Sequence, residues 1–342
     1  MKSADKRAFI KTMALSAVAS AVMAAAGPAL AADWKPSKPI NIIVPWAAGG
    51  STDQVTRVTA AELEKVLGQK IVVVNQPGAA GSIGSKSAWD APRDGYTWTA
   101  GAAQDLGVYQ ALGMLNASLK DWHLFLNVAN TAVVGVNPGK PWKTMGELLA
   151  AMKAQPGQIK VATAGVTSGG HNAMEAIARA SGVTYRHVTY DGGNPAVVAT
   201  VSGETDLTTQ LAVEQAEMIR GKRIRPLANL SDKTLMLDGH GAIEPITKTV
   251  PGIKAPANYF GIFVPKGVPA EVTATLEKVW ASHIANNEAL KKYAASRGAL
   301  FAPAAGAAAQ AAAFPAVQAN AWLLHAGGKT KVAPDTVGIP KP

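Results

Sequence analysis

The chain has 342 residues, 48% of them hydrophobic, with a formal net charge of +10 and no cysteine. The missing cysteine excludes disulfides, a thiol nucleophile and thiolate metal sites. The basic residues are scattered and not interleaved with aromatics, which argues against a nucleic-acid partner and for a mild bias toward small anions.

The N-terminus has the layout of an export signal. Lys2, Lys6, Arg7 and Lys11 precede the apolar Met13–Ala26 stretch, and Ala29-Leu30-Ala31 gives a small-x-small cleavage pattern. Residues 1–32 are therefore expected to be a signal peptide cut after Ala31 or Ala32. Lys6-Arg7 is twin-arginine-like with Lys in the first place, so the Sec and twin-arginine routes both stay open. Without cysteine there is no lipid anchor, and no later segment offers about 18 uninterrupted apolar residues. A soluble, periplasmic protein is expected.

Ile40–Val44 suits a buried strand that stops at Pro45. Trp46-Ala47-Ala48-Gly49-Gly50-Ser51 forms a loop of mostly small residues, and a helix is expected over Asp53–Leu67. Glycines let backbone approach a ligand, and first-turn N–H groups with the helix dipole favour negative charge. Trp46 either packs on the first helix or forms an apolar cleft wall. Asp53 reads as a helix-start residue supporting the loop.

A second strand, Ile71–Asn75, leads into Gly78, Gly81, Ser82 and Gly84 before a helix at Ile83–Trp89. The spacing is GxxGxxG, and no acidic residue follows where a dinucleotide fold needs one, so no nucleotide cofactor is expected. Strands follow near Thr97–Gly101, Leu124–Asn127 and Val133–Val136, with Gln104 just after the first of them. Thr144 and Glu147 form a capping box for a helix over Thr144–Ala154.

Thr163 ends another strand, and Ser168 and His171 open a helix. They lack the G-x-S-x-G nucleophile elbow, so Ser168 reads as an N-cap or a hydroxyl donor to ligand and not as a catalytic serine. Tyr190-Asp191-Gly192-Gly193-Asn194-Pro195 repeats the strand, glycine and helix-start pattern, with Asn194 as expected cap. Asp191 either binds a ligand amine or hydroxyl or orients loop N–H groups. Gln210 follows the Leu207–Gln210 strand. His123, His171, His187, His240, His283 and His325 show no metal-binding spacing, and no metal is expected.

Alternating strands and helices imply an α/β architecture with largely parallel sheets. Pattern breaks at Asn137–Pro141 and Pro251–Asn258 suggest one domain inserted in another. The expected division is 33–134 with 260–342, discontinuous, around 135–259. Two chain crossings then form a hinge, and the final Lys329–Pro342 segment a surface strap.

Taken together, the motifs resemble the TctC or Bug family, receptors of tripartite tricarboxylate transporters. Lys38-Pro39-Ile40, Pro45 to Gly50 and Asp53 match its first motif. Val74 to Gly78 with Gly81 and Gly84 match the second, and Asp94-Gly95-Tyr96-Thr97 its DGYT. Tyr190, Gly192, Gly193, Pro195 and Ala196 match the fourth loop, and Gly261, Pro265, Gly267 and Pro269 the return crossing. Glu244 to Gly252 fits the family's pattern only loosely, and Tyr259 stands where many members have Trp.

The resemblance implies a two-lobed type II periplasmic binding protein fold without cofactor. It implies a small organic carboxylate held between lobes by Trp46 to Ser51, Gly81 and Ser82, Thr163, Ser168 and Tyr190 to Gly193. Gln104 and Gln210 are expected to help set ligand choice. The implied partner is a membrane transporter of the tripartite type, or a sensor, with the receptor a monomer. The loops hold no Arg or Lys, so backbone N–H groups must carry the ligand's charge. One rival is an exported hydrolase or transferase, which needs a nucleophile–base pair. The other is a receptor of another transporter class, whose mark would be an Arg or paired acids in the cleft.

Overall fold

The computed structural model describes residues 33–253 and 256–342. The expected signal peptide, residues 1–32, lies outside the described residues.

In chain order the first elements are β1 (Ile40–Val44), α1 (Ser51–Leu67), β2 (Ile71–Asn75), α2 (Ser82–Asp90), β3 (Thr97–Ala102) and α3 (Ala103–Val108). Next come β4 (Trp122–Asn130), β5 (Val133–Val136), α4 (Met145–Ala154), β6 (Lys160–Thr163), α5 (Gly169–Ser181), β7 (Arg186–Thr189) and α6 (Gly193–Ser202). The chain continues through β8 (Leu207–Thr208), α7 (Ala212–Arg220), β9 (Arg225–Asn229), β10 (Leu235–Leu237), β11 (Gly241–Ile243) and β12 (Asn258–Pro265). It ends with α8 (Ala270–Val279), α9 (Glu288–Arg297), β13 (Leu300–Ala305) and α10 (Gly306–Ala326).

Two sheets divide the chain. One has six strands in the order β13-β4-β12-β3-β1-β2, and the other five in the order β7-β6-β8-β5-β9. β4 belongs to the first sheet and β5, three residues on, to the second; the chain returns to the first sheet at β12. β4 and β12 run antiparallel, with Asn130 opposite Asn258. β1 is parallel to β2 and β3, and β6 is parallel to β7 and β8. The sheets are thus mixed and not largely parallel, because strands that cross and return must run antiparallel. The parallel strands aim their C-terminal ends, and the loops after them, at the gap between lobes.

Local chemistry places these elements. β1 buries Ile40, Ile42 and Val44 by simple alternation. α1 ends at Gly68, whose left-handed backbone (φ 68°) closes the helix onto the Glu64 carbonyl. The Thr144 cap forms as expected, its hydroxyl accepting from the Glu147 amide. α6 starts earlier than Asn194, at Gly193 with Gly192 as cap. Helix α3 and the β10–β11 hairpin have no periodic signal, being six and three residues long. After α8 the helix widens at Trp280–Ile284, where Trp280 packs on Phe125 and donates to the Leu126 carbonyl (2.7 Å). The terminal strap is pinned: Lys331 donates to the Ala111 carbonyl, and Trp322 Nε1 to that of Ile339.

Gly261 sits at a bulge in β12 where the ladder to β4 shifts register. A Cβ there would collide with the Phe125 carbonyl oxygen and Leu126 Cα, both backbone atoms of the crossing strand. Gly261→Ala is expected to destabilise the fold by about 2 kcal/mol or more. Chemical denaturation measures it, and an unchanged midpoint would contradict the packing described.

Candidate functional site

The Trp46–Gly50 loop is held from within its own lobe. Gly49 takes φ +79°, which favours glycine, and donates to Asp53 Oδ2 (2.9 Å). Asp53 Oδ1 accepts from Arg57 Nε and Asn75 Nδ2, each at 3.0 Å, and Asn75 also donates to the Trp46 carbonyl (3.1 Å). Burial pushes the Asp53 carboxyl up, but the Arg57, Gly49 and Asn75 hydrogen bonds outweigh it and hold the pKa below its ordinary value. Asp53 therefore shapes the loop. Trp46 is only 7% exposed; it packs over Gly81, at the start of α2, and lines the small space between the loops.

The second loop carries backbone strain. Ala79 and Ala80 both have positive φ, 44° and 54°, outside the region side chains prefer. The strain points the Ala80 carbonyl at two donors, Tyr109 Oη from its own lobe and Thr167 Oγ1 from the other, each at 3.0 Å. Two more bonds join the lobes: the Ala47 amide donates to the Asp191 carbonyl, and the Ser51 amide to Glu214 Oε1, both at 3.0 Å. The lobes are closed on each other. The space left between the glycine loops is about 20 Å³, room for little more than one water.

At the centre of this closed cleft lies an acid pair that the motifs did not reveal. Glu214, at the third position of α7, accepts from the Leu211 amide (3.1 Å) within its own helix start and reaches across to the N-terminus of α1. Gln210, with its amide oriented to satisfy both ends, donates to Glu214 Oε2 (2.9 Å) and accepts from the Ala164 amide (2.6 Å). Asp105 lines the same space, its Oδ1 meeting Gln104 Nε2 only at 3.4 Å. Burial pushes the Glu214 carboxyl up despite the Ser51 and Leu211 hydrogen bonds. Burial pushes Asp105 well above the usual carboxylate range; Gln104 opposes this, and the like charge of Glu214 adds to it. Among the described residues no Lys or Arg lines the space.

The expected residues separate into groups. Trp46, Gly50, Ser51, Ser168, Gly193 and Gln210 meet around the small space. Ala47 packs against Gly192 at the closed seam, with Ala48 exposed beside it and Gly49 against Asn194. Gly81 backs Trp46, while Ser82 Oγ turns back to the Ala79 carbonyl (2.9 Å). Thr163 Oγ1 is taken by His187 Nε2 (2.5 Å), and Tyr190 Oη by Glu204 (2.8 Å). Asp191 offers its carbonyl, with its side chain at the surface. Gln104 lines a larger cavity of about 600 Å³ beside the crossing strands and not the small space, which its neighbour Asp105 lines. Ser168 is the N-cap of α5, accepting from the His171 amide (3.2 Å) and donating to the Gly165 carbonyl (2.8 Å). The His171 ring stacks on His187 instead, with burial holding its pKa down to about 3, so no Ser–His pair forms here. Asp105 and Glu214 were the residues missed. Their only signals were an acid beside Gln104 and a Glu in the first turn of the helix after Gln210.

The Asp105 pKa raises a stability test. An unfolded Asp ionises near pH 3.9, while the buried one holds its proton to higher pH. Between those values the unfolded state binds fewer protons, so stability falls as pH rises, by about 1.4 kcal/mol per pH unit traversed. Asp105→Asn is expected to flatten that fall and to raise the melting temperature at pH 7. Parallel pH-dependent slopes for both proteins would contradict the burial described.

Comparison with known proteins places the chain. The family model described as "Tripartite tricarboxylate transporter family receptor", TctC, matches residues 55–331. Protein BugT of Bordetella pertussis is 31% identical over 291 residues, 82% of this chain and 85% of that protein. A solved periplasmic transporter structure has 28% identity and a TM-score of 0.76, covering 88% of this chain and 99% of that one. The periplasmic binding protein BugD has 24% identity and a TM-score of 0.79, covering 86% and 99%. Two Rhodopseudomonas palustris proteins of the same fold, each 22% identical, were solved with adipate (TM-score 0.78, covering 86% and 99%) and with malate (0.75, covering 84% and 99%). With two α/β lobes joined by crossing strands and a matching family model over most of its length, this chain belongs to the TctC family of solute-binding receptors and has their periplasmic binding protein fold.

Proposed function

We propose that this chain is a periplasmic receptor that captures a small organic carboxylate between its lobes and presents it to a membrane transporter of the tripartite tricarboxylate type. The observation that carries the reading is a carboxylate already seated at the N-terminus of α1. Glu214 supplies it, accepting from the Ser51 amide. That amide, with the dipole of a 17-residue helix behind it, is a ready acceptor of negative charge. The adipate and malate held by two proteins of the same fold support the same ligand class.

In this reading Glu214 holds the place that a ligand carboxylate takes. The steps between Asn130 and Val133 and before Asn258, where the chain changes sheet, serve in the same reading as the hinge. Opening withdraws α7 with Glu214 and frees the Ser51 amide. An incoming carboxylate takes its place and the lobes close again. The chain acts as a monomer, and the family's role points to binding without turnover. Among the described residues no helix is long and apolar enough to cross a membrane.

The paired acids Asp105 and Glu214 are the feature expected of a receptor from another transporter class. They favour a ligand that brings a hydroxyl or an amine beside its carboxylate, because either can donate to an acid there. They also make binding proton-linked. A ligand carboxylate beside acids with raised pKa draws protons onto them.

Two outcomes follow. A thermal-shift screen of malate, adipate and amino acids is expected to give a hit, worth about 2.7 kcal/mol at 100 times its dissociation constant. Ser51→Pro removes the one N–H in question at a first-turn position where proline suits a helix, and is expected to keep the fold and lose the hit. Carboxylate binding undiminished in Ser51→Pro would overturn the reading. Calorimetry is expected to show affinity falling from pH 6 to pH 8, with proton uptake from buffer. A flat profile would remove the acid pair from the site.

A further inference from the structure

The two chain crossings carry polar side chains that the closed form leaves without partners. Asn130 ends β4 and Asn258 opens β12, and the two are directly opposed across the antiparallel pair, so their side chains share a face. They are 4% and 5% exposed. Among the described residues neither amide nitrogen and neither amide oxygen of the two has a hydrogen-bond partner, and the hydroxyl of Thr131, on the step to β5, has none either. All five atoms have almost no accessible surface, so they touch neither solvent nor the larger cavity.

Other buried asparagines are satisfied. Asn229, fully buried on β9, donates to the Lys233 (3.1 Å) and Ile243 (2.7 Å) carbonyls and accepts from Ser231 Oγ (2.6 Å). Buried polar groups are nearly always paired, and a group left unmet costs its full desolvation, so a cluster of them stores free energy. The packing shows which lobe imposes that cost. Asn258 belongs to the first sheet, yet its amide nitrogen lies 2.9 Å from the place where a Cβ on Gly169, the first residue of α5, would stand. Leu211 Cδ2 is 3.1 Å from the same place. Closure therefore seats the start of α5 and Leu211, both of the second lobe, over the Asn258 amide. Directly opposed asparagines stand close enough for one amide to donate to the other. They do not do so under this cover. With α5 withdrawn, the amides are free to turn to each other or to water.

We propose that Asn130, Asn258 and Thr131 act as an opening spring in the hinge: their polar groups go unmet only when the lobes close, so the crossings themselves favour the open form. This rests on the hinge reading above. The bonds from the Ser51, Ala47 and Thr167 donors across the seam hold the lobes closed against it. The balance between spring and seam sets how much of the empty receptor stands open to ligand, and it speeds release from the closed complex.

The chain has no cysteine, so Lys86→Cys on α2 and Ser202→Cys at the end of α6, both exposed, place one nitroxide label on each lobe. Pulsed electron spin resonance then measures the distance between the lobes in the whole mature chain without ligand. Two distances are expected, one open and one closed. Asn130→Leu combined with Asn258→Leu keeps the side-chain size and removes four of the unmet atoms. It is expected to lower the ratio of open to closed by about tenfold or more. Thr131→Val removes the fifth at the same shape and is expected to shift the ratio the same way. It carries the test should the double variant fold poorly, as judged by its melting temperature. A single closed distance in the label-bearing parent overturns the proposal, as does a ratio that is unchanged or moves toward open in a folded variant. Failure of the carboxylate reading is distinguishable, because the distances are read without ligand and stand whether or not malate and adipate bind.

Discussion

The bond from the Ser51 amide to the Glu214 carboxylate is the interaction on which the arrangement depends. It joins the lobes, caps α1 from outside its own sequence and uses a helix N-terminus that favours negative charge. Gly193 is required beside it: a Cβ there would occupy the position of the carboxylate itself. Gln210 and the Leu211 amide then hold the carboxylate from the second lobe. A bare helix N-terminus would leave orphan donors in a dry seam, and the chain's own glutamate satisfies one.

That arrangement leaves a charge problem. Asp105 and Glu214 are both buried and near each other, and among the described residues no Lys or Arg shares their space. Burial of this kind reduces stability and is kept where binding requires it. Strain at Ala79 and Ala80 fits the same pattern, since it aims one carbonyl at donors from both lobes. The closed form is thus held by polar bonds across the seam, by the Arg297–Glu217 ion pair beside it, and by an apolar cluster that runs from one lobe to the other around the crossings.

Much of this was legible in the sequence because it is local. β1 reads from alternation, the loop after it from its glycines, and the Thr144 cap from its spacing. Asp53 as a support of the loop follows from its place at the helix start, and its bonds to Gly49, Arg57 and Asn75 agree. The glycine loops were found, but what occupies them was not. Glu214 is 163 residues from Ser51, and within its own helix it reads as an ordinary first-turn acid. Thr163 and Tyr190 looked like cleft hydroxyls, yet His187 and Glu204, in neighbouring structure, take them. The unpaired Asn130 and Asn258 belong to two separated strands, and only folding sets them opposite each other.

A crystal structure of the protein with the dicarboxylate that stabilises it most tests the central claim directly. The account predicts a ligand carboxylate oxygen within hydrogen-bond distance of the Ser51 amide, with Glu214 moved off it and the lobes closed again. A complex in which Glu214 keeps the Ser51 amide while the dicarboxylate sits elsewhere would contradict it.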